Sequence, residues 1–291
     1  MKIIQGPSSK ELAEKIAELT GYARVPVVSR VFPDGESYVR LEGSVQGEHV
    51  AIVHTTSKPQ DSNIIQLAFV AAAAKRSGAK KVTAVVPYLA YARQDKVFLE
   101  GETVSIETVA AMLKVAGIDQ LFTVNVHSEI ALNEFPFLAK TLTAIPLLAE
   151  YFVKKGCAKA FALAPDKGAM YIAQQAQKIL GGGAGSLEKK RDRHTGQTTQ
   201  TGNHLDVKGK RVIIFDDIIS TGGTIVGAAK ILKEQGAEKI YTACVHGLLI
   251  GDAEKRIVDA GVEEIVATDS VPGKNSKVTL APLLGQALRA L

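Results

Sequence analysis

Two adjacent carboxylates, Asp216 and Asp217, close the apolar run Arg211-Val212-Ile213-Ile214-Phe215 and lead through Ile218-Ile219 into Ser220-Thr221-Gly222-Gly223-Thr224. These residue types suit the recognition of a sugar phosphate. The acids accept hydrogen bonds from vicinal hydroxyls, and Ser220, Thr221 and Thr224 donate hydroxyl hydrogens. Gly222 and Gly223 permit positive φ, so successive backbone N–H groups can converge on an anion. A helical pattern follows, and the positive end of its dipole favours bound phosphate. A buried strand, a pair of hydroxyl acceptors and a phosphate cradle are therefore expected in that order.

Further residues could take part in phosphoryl chemistry. Lys189-Lys190-Arg191 follows a glycine run and precedes the polar, aperiodic stretch from Thr195 to Asn203. Cations on such a mobile loop could close over a triphosphate, Arg offering a planar fork and Lys a point charge. Tyr88-Leu89-Ala90-Tyr91-Ala92-Arg93-Gln94-Asp95 follows the apolar run Val82 to Val86, which puts Arg93 and Gln94 beyond a strand's C-terminal end. Ligands of α/β proteins bind there. His127 ends the run Leu121 to Val126, and Asp166 follows Phe161-Ala162-Leu163-Ala164-Pro165. Each stands where a ligand of a metal or a phosphate could lie. Phe32-Pro33-Asp34-Gly35-Glu36 reads as a turn with an aromatic and two acids. His49, His54, His194, His204 and His246 have no metal-binding spacing, and no P-loop, H-E-x-x-H or G-x-S-x-G motif occurs.

Strand-like runs alternate with amphipathic helical patterns along the chain, which predicts an α/β architecture with mainly parallel sheets flanked by helices. Ser8 and Glu11 have capping-box spacing, Leu12, Ile16 and Leu19 share one helical face, and Gly21 can end that helix. An internal repeat is visible. Gly78-Ala79-Lys80-Lys81-Val82-Thr83-Ala84-Val85-Val86 echoes Gly236-Ala237-Glu238-Lys239-Ile240-Tyr241-Thr242-Ala243-Cys244, and Val50-Ala51-Ile52-Val53 echoes Arg211-Val212-Ile213-Ile214. Ala116-Gly117-Ile118 matches Ala260-Gly261-Val262, while Thr55 and Thr56 fall where Asp216 and Asp217 stand. The pattern predicts a duplicated fold whose second copy alone keeps the sugar-phosphate loop, with domains at 1–142 and 143–291. Gly181-Gly182-Gly183-Ala184-Gly185 fails the dinucleotide test, because Ser186 takes the final glycine position, and reads as a flexible connection.

A chain of 291 residues can bury two full cores. Its net charge of +5 is scattered, and with no Trp the stacking and basic-stripe pattern of nucleic-acid binders is missing. Cys157 and Cys244 form neither a disulfide framework nor a metal spacing, which suits buried thiols in a reducing cytoplasm. The N-terminus reaches a turn after two apolar residues, and the longest apolar run, Leu67 to Ala74, is too short for a bilayer. A cytoplasmic protein binding neither membrane nor nucleic acid is expected.

Together these segments resemble the ribose-phosphate pyrophosphokinases (PRPP synthetases), nearly end to end, and the Asp216 to Thr224 stretch resembles the loop of type I phosphoribosyltransferases. The resemblance implies two phosphoribosyltransferase-like domains. It also implies transfer of the diphosphoryl group of ATP to the C1 hydroxyl of ribose 5-phosphate, giving PRPP and AMP, with Mg²⁺ as cofactor. By the same resemblance Phe32, Asp34, Gly35 and Glu36 would hold adenine from a neighbouring subunit, so that the protein self-associates as a dimer or larger. Arg93 and Gln94 would contact ATP, and His127 and Asp166 would organise the metal. Lys189 and Arg191 would be the catalytic cations. Arg191, Asp216, Asp217, Ser220, Thr221, Gly222, Gly223 and Thr224 would bind ribose 5-phosphate. Two departures stand out: many members carry an acid where this chain has Asn125, and another where it has Ser220. The Ser form resembles the shorter archaeal-type enzymes. The rivals are a phosphoribosyltransferase that consumes PRPP, which would not need the first half, and a silent binding homologue, which would be expected to have lost the cations or the acid pair.

Overall fold

The apolar runs fold into two parallel sheets. The computed structural model describes residues 1–191, 198–201 and 205–291, with side chains outside 189–204. Contacts group the chain into two units, Met1–Leu142 with Thr279–Leu291, and Thr143–Val278.

The first unit runs β1 (Lys2–Gln5), α1 (Lys10–Thr20), β2 (Ala23–Val25), β3 (Val27–Val31), β4 (Ser37–Leu41), β5 (His49–Val53), α2 (Gln60–Arg76), β6 (Lys81–Val86), α3 (Ser105–Val115), β7 (Gln120–Val124) and β8 (Leu138–Leu142). Its parallel sheet has the order β2-β1-β5-β6-β7-β8, and β3 and β4 form a separate antiparallel hairpin. Burial on both faces explains why β5 to β7 read as unbroken apolar runs rather than alternating ones.

The second unit contains α4 (Ile145–Lys154), β9 (Phe161–Ala164), α5 (Met170–Leu180), β10 (Ala184–Ser186), β11 (Glu188–Arg191), β12 (Thr198–Thr201), β13 (Arg211–Ile219), α6 (Gly223–Glu234), β14 (Lys239–Gly247), α7 (Ala253–Asp259), β15 (Val262–Thr268) and β16 (Ser276–Val278). The sheet order is β10-β9-β13-β14-β15-β16, the same topology as in the first unit. Phe152 of α4 meets Phe215 and Tyr241 with ring centroids 6.4 and 5.6 Å apart. A second set of apolar side chains, among them Val212, Ile214, Ile225, Leu232 and Ile257, makes a continuous buried core with α6 and α7.

The duplication extends further than the sequence echoes. The β3–β4 hairpin falls between β2 and β5, and the β11–β12 hairpin falls between β10 and β13, so the two are topological counterparts. The last helix, α8 (Ala281–Arg289), belongs to the first unit and not to a domain spanning 143–291. It packs on α1, where Gly285 permits close approach: a Cβ there would lie 3.3 Å from Thr20 Cγ2. In the second unit α4 packs on α5 in the equivalent way.

Three local expectations change. Ser9, not Ser8, occupies the position before α1, and it makes no side-chain cap. Instead Ser8 Oγ donates to the Thr55 carbonyl at 2.6 Å, and Ser9 Oγ accepts from the Thr55 N–H at 2.8 Å. Leu19 is half exposed, whereas Leu12 and Ile16 are buried. The glycine run is packed rather than flexible and leads from α5 into the edge strand β10: a Cβ at Gly183 would lie 2.7 Å from the Phe161 ring. Among the described residues no helix is long and apolar enough to cross a membrane.

Candidate active site

The carboxylate pair lies within β13 rather than after it, because Ile218 and Ile219 continue the ladder to His246 and Gly247. Asp216 pairs in register with Cys244, and both acids are partly buried. Their backbone is tightly tied: the Asp217 N–H donates to Asp216 Oδ1 at 2.9 Å, and the Ile218 N–H donates to Asp217 Oδ1 at 2.7 Å. Burial, with the neighbouring Asp217 and Asp166 carboxylates, pushes the Asp216 carboxyl well above the usual carboxylate range. Clustered acids of this kind are relieved by a cation or by hydroxyl donors.

Ser220 and Thr221 turn the chain into α6, with Gly222 at its cap in the left-handed region at φ 77°. Only Gly222 uses positive φ; Gly223 opens the helix, and space is free where its Cβ would be. The first N–H groups of a helix have no partner inside it, so the turn offers donors to an anion. The corner between β14 and α7 supports this turn from behind. The Leu249 and Ile250 N–H groups donate to the Ile219 and Ser220 carbonyls, both at 3.0 Å.

Asp166 stands at the C-terminal end of β9, the neighbour of β13. Its Oδ1 accepts from the Ala169 N–H at 3.1 Å and shapes the turn into α5. Its charge reaches Asp216, so three carboxylates share this end of the sheet. The Lys189 and Arg191 backbones are not in an aperiodic loop. They lie in β11, whose residues Glu188 to Arg191 pair with Thr201 to Thr198, a partner strand rich in β-branched threonine. Their side chains fall outside the described set.

The remaining predicted residues lie in the first unit. Phe32, Asp34, Gly35 and Glu36 form the tip of the β3–β4 hairpin. The Phe32 N–H donates to the Glu36 carbonyl at 2.8 Å, and Gly35 takes φ 95°. The Phe32 ring is 43% exposed and meets Tyr38 edge-on at 6.1 Å. Arg93 is exposed on the turn after β6, and the Gln94 side chain donates to the Thr103 carbonyl at 3.4 Å. His127 is exposed just beyond β7, after Asn125 at a left-handed φ of 39°. The structure therefore brings Asp166, Asp216, Asp217 and the Ser220–Thr224 turn together in one unit. Phe32 to Glu36, Arg93, Gln94 and His127 lie in the other.

The first unit's counterpart of the phosphate turn is filled by its own chain. Thr55, Thr56 and Ser57 are buried, Thr56 Oγ1 donates to the Tyr88 carbonyl at 2.8 Å, and Ser8 and Ser9 occupy Thr55. The sequence signal was the replacement of both acids and both glycines.

A family profile described as the N-terminal domain of ribose phosphate pyrophosphokinase matches residues 1–117. A second, described as the phosphoribosyl synthetase-associated domain, matches residues 199–283. The chain is 40% identical to the ribose-phosphate pyrophosphokinase of Methanobrevibacter smithii, covering 99% of both chains. It is also 40% identical to that of Methanothermobacter thermautotrophicus, again over 99% of each. The crystal structure of phosphoribosylpyrophosphate synthetase from Mycobacterium smegmatis superimposes with a TM-score of 0.87 at 30% identity, over 99% of this chain and 97% of that one.

Proposed function

The chain belongs to the ribose-phosphate pyrophosphokinase family, and on that premise we propose the chemistry of its site. It is an ATP-dependent diphosphotransferase that makes PRPP and AMP from ribose 5-phosphate and ATP. The C1 oxygen of the sugar bonds to the β-phosphorus, and the bond from that phosphorus to the α,β-bridging oxygen breaks. The observation that carries this reading is the β13 carboxylate pair running straight into the Gly222-capped turn of α6, in a chain related end to end to such enzymes.

In this arrangement the α6 turn takes the 5-phosphate, and Asp216 and Asp217 accept from the ribose hydroxyls. Lys189 and Arg191 neutralise charge on the transferring group, so catalysis is chiefly positioning and electrostatic stabilisation. Among the described residues no three His, Cys, Asp or Glu side chains form a ready-made metal cage. That suits Mg²⁺, which binds one or two carboxylates together with substrate phosphates. The raised Asp216 carboxyl fits a cation nearby. Asp166 and His127 would help hold Mg²⁺, and when bound the ion would withdraw charge from the phosphoryl oxygens. Phe32, Asp34, Gly35 and Glu36 would clasp adenine in a neighbouring subunit. Support comes from the exposure of the Phe32 ring on a hairpin tip. Arg93 and Gln94 would contact ATP.

The test is incubation with Mg²⁺, ATP and ribose 5-phosphate. AMP and PRPP should appear in equal amounts. Turnover that requires a nucleobase and consumes PRPP would identify a phosphoribosyltransferase instead.

A further inference from the structure

Arg30 and Tyr38 face each other across the β3–β4 hairpin as directly paired residues. The Arg30 guanidinium carbon lies 5.5 Å from the centre of the Tyr38 ring. Phe32 stands two residues after Arg30, the spacing that returns a side chain to the same face. Its ring meets Tyr38 at 6.1 Å, with the two planes inclined by 63°. Arg30, Tyr38 and Phe32 thus form a row that ends at the hairpin tip.

The backbone of the tip is closed without this row. The Phe32 N–H donates to the Glu36 carbonyl and the Gly35 N–H to the Phe32 carbonyl, both at 2.8 Å. The Glu36 N–H donates to Asp34 Oδ1 at 3.2 Å, and Gln66 of α2 donates to Ser37 Oγ at 3.3 Å. These bonds leave open the orientation of the Phe32 ring, which is 43% exposed and could otherwise change rotamer. Tyr38 restricts that freedom. An edge-to-face contact sets the inclination of the two rings, and a cation over Tyr38 holds the second ring in turn. An inclined partner also leaves at least one flat face of Phe32 uncovered by Tyr38, a surface on which a base can stack.

We propose that Tyr38 is a positioning residue for the nucleotide base. It holds the Phe32 ring in the orientation that stacks, so that less side-chain freedom is lost on binding. This rests on the reading of Phe32 as a contact for adenine.

Calorimetry of the full chain with Mg²⁺ should find ATP bound roughly three- to tenfold more weakly by Tyr38→Val, which removes the ring but suits a strand. Tyr38→Phe should bind ATP as the parent does. Inorganic tripolyphosphate, which has no base, should bind both variants as it binds the parent. In a Phe32→Ala background, Tyr38→Val should weaken ATP no further, since its effect passes through that ring. Equal weakening of ATP and tripolyphosphate would make Tyr38 a prop of the hairpin and overturn the proposal. So would losses that add in the double variant. Parental ATP binding in Tyr38→Val beside impaired binding in Phe32→Ala would strike out Tyr38 alone. Parental binding in both would remove the hairpin from the nucleotide site, and the adenine reading would fall with it.

Discussion

Ile257 of α7 occupies the space beside Gly222 that a side chain would need. A Cβ on Gly222 would fall 2.9 Å from Ile257 Cδ1 and 3.4 Å from the Ala253 carbonyl oxygen, at a backbone φ of 77°. Gly222 and Gly223 therefore serve different ends. Gly222→Ala meets both strain and overpacking and should destabilise the protein by roughly 2–4 kcal/mol. Gly223→Val enters open space, so its melting temperature should stay near that of the parent. Its branched side chain would crowd the anion and weaken ribose 5-phosphate binding roughly ten- to several-hundredfold. Thermal melts and calorimetry on both variants separate the roles, and the reverse pattern would exchange them.

Asp216→Asn should stabilise the ligand-free protein at neutral pH and damage sugar binding. The folded carboxyl is raised, first by burial and then by Asp217 and Asp166. Stability associated with the protonated form is full below about pH 3.9, the value of an unfolded-chain aspartate, and is lost as pH rises through the higher folded value. Asparagine carries no such loss. Urea unfolding at acid and neutral pH should show the variant's advantage growing with pH, while ribose 5-phosphate affinity falls about tenfold or more.

His54 predicts a slope of the other sign. Its ring is fully buried, Nε2 faces the Asn63 carbonyl at 2.8 Å, and burial lowers its pKa from 6.5 to about 4. Stability is fully present above pH 6.5 and declines as pH falls toward 4, by roughly 3 kcal/mol at the lower end. His54→Gln can keep the contact to Asn63 without titrating. Denaturant titrations across this range should show a shallower pH slope in the variant; an identical slope would locate the acid lability elsewhere.

Lys189→Ala should reduce kcat roughly 10²–10³-fold with a smaller change in KM, because its charge is needed mainly as charge develops in the transition state. Steady-state kinetics with both substrates varied would measure this. Near-parental turnover would direct attention to Lys190.

Active protein should be at least a dimer if Phe32, Asp34 and Glu36 serve a neighbour's nucleotide. Glu36→Ala and Lys189→Ala proteins, each impaired, should regain partial activity when mixed. Absence of recovery despite demonstrated subunit exchange would place the hairpin outside the active site.

The parts legible in the sequence were those that local chemistry compels. Gly117 and Gly261 recur because the chain leaves α3 and α7 at φ 97° and 94°, which a residue without Cβ tolerates best. The β6 and β14 echoes survive because both strands are central and buried. The acid pair was also readable, although its place inside β13 was not: only pairing of Ile218 and Ile219 with β14 extends the strand that far. The equivalence of the two hairpins left no trace, since it rests only on their places between β2 and β5 and between β10 and β13.

The membership of α8 in the first unit bears on how the protein is made. During synthesis the ribosome releases residues 143–278 before it supplies the helix that packs on α1. The first sheet must therefore wait, with the α1 surface uncovered, while the whole second unit is produced. A chain cut between Leu142 and Thr143 would yield one fragment lacking this helix and another carrying it without its partner. Expressed separately, 1–142 should be the poorly behaved half, and adding 279–291 to it through a flexible linker should restore its cover.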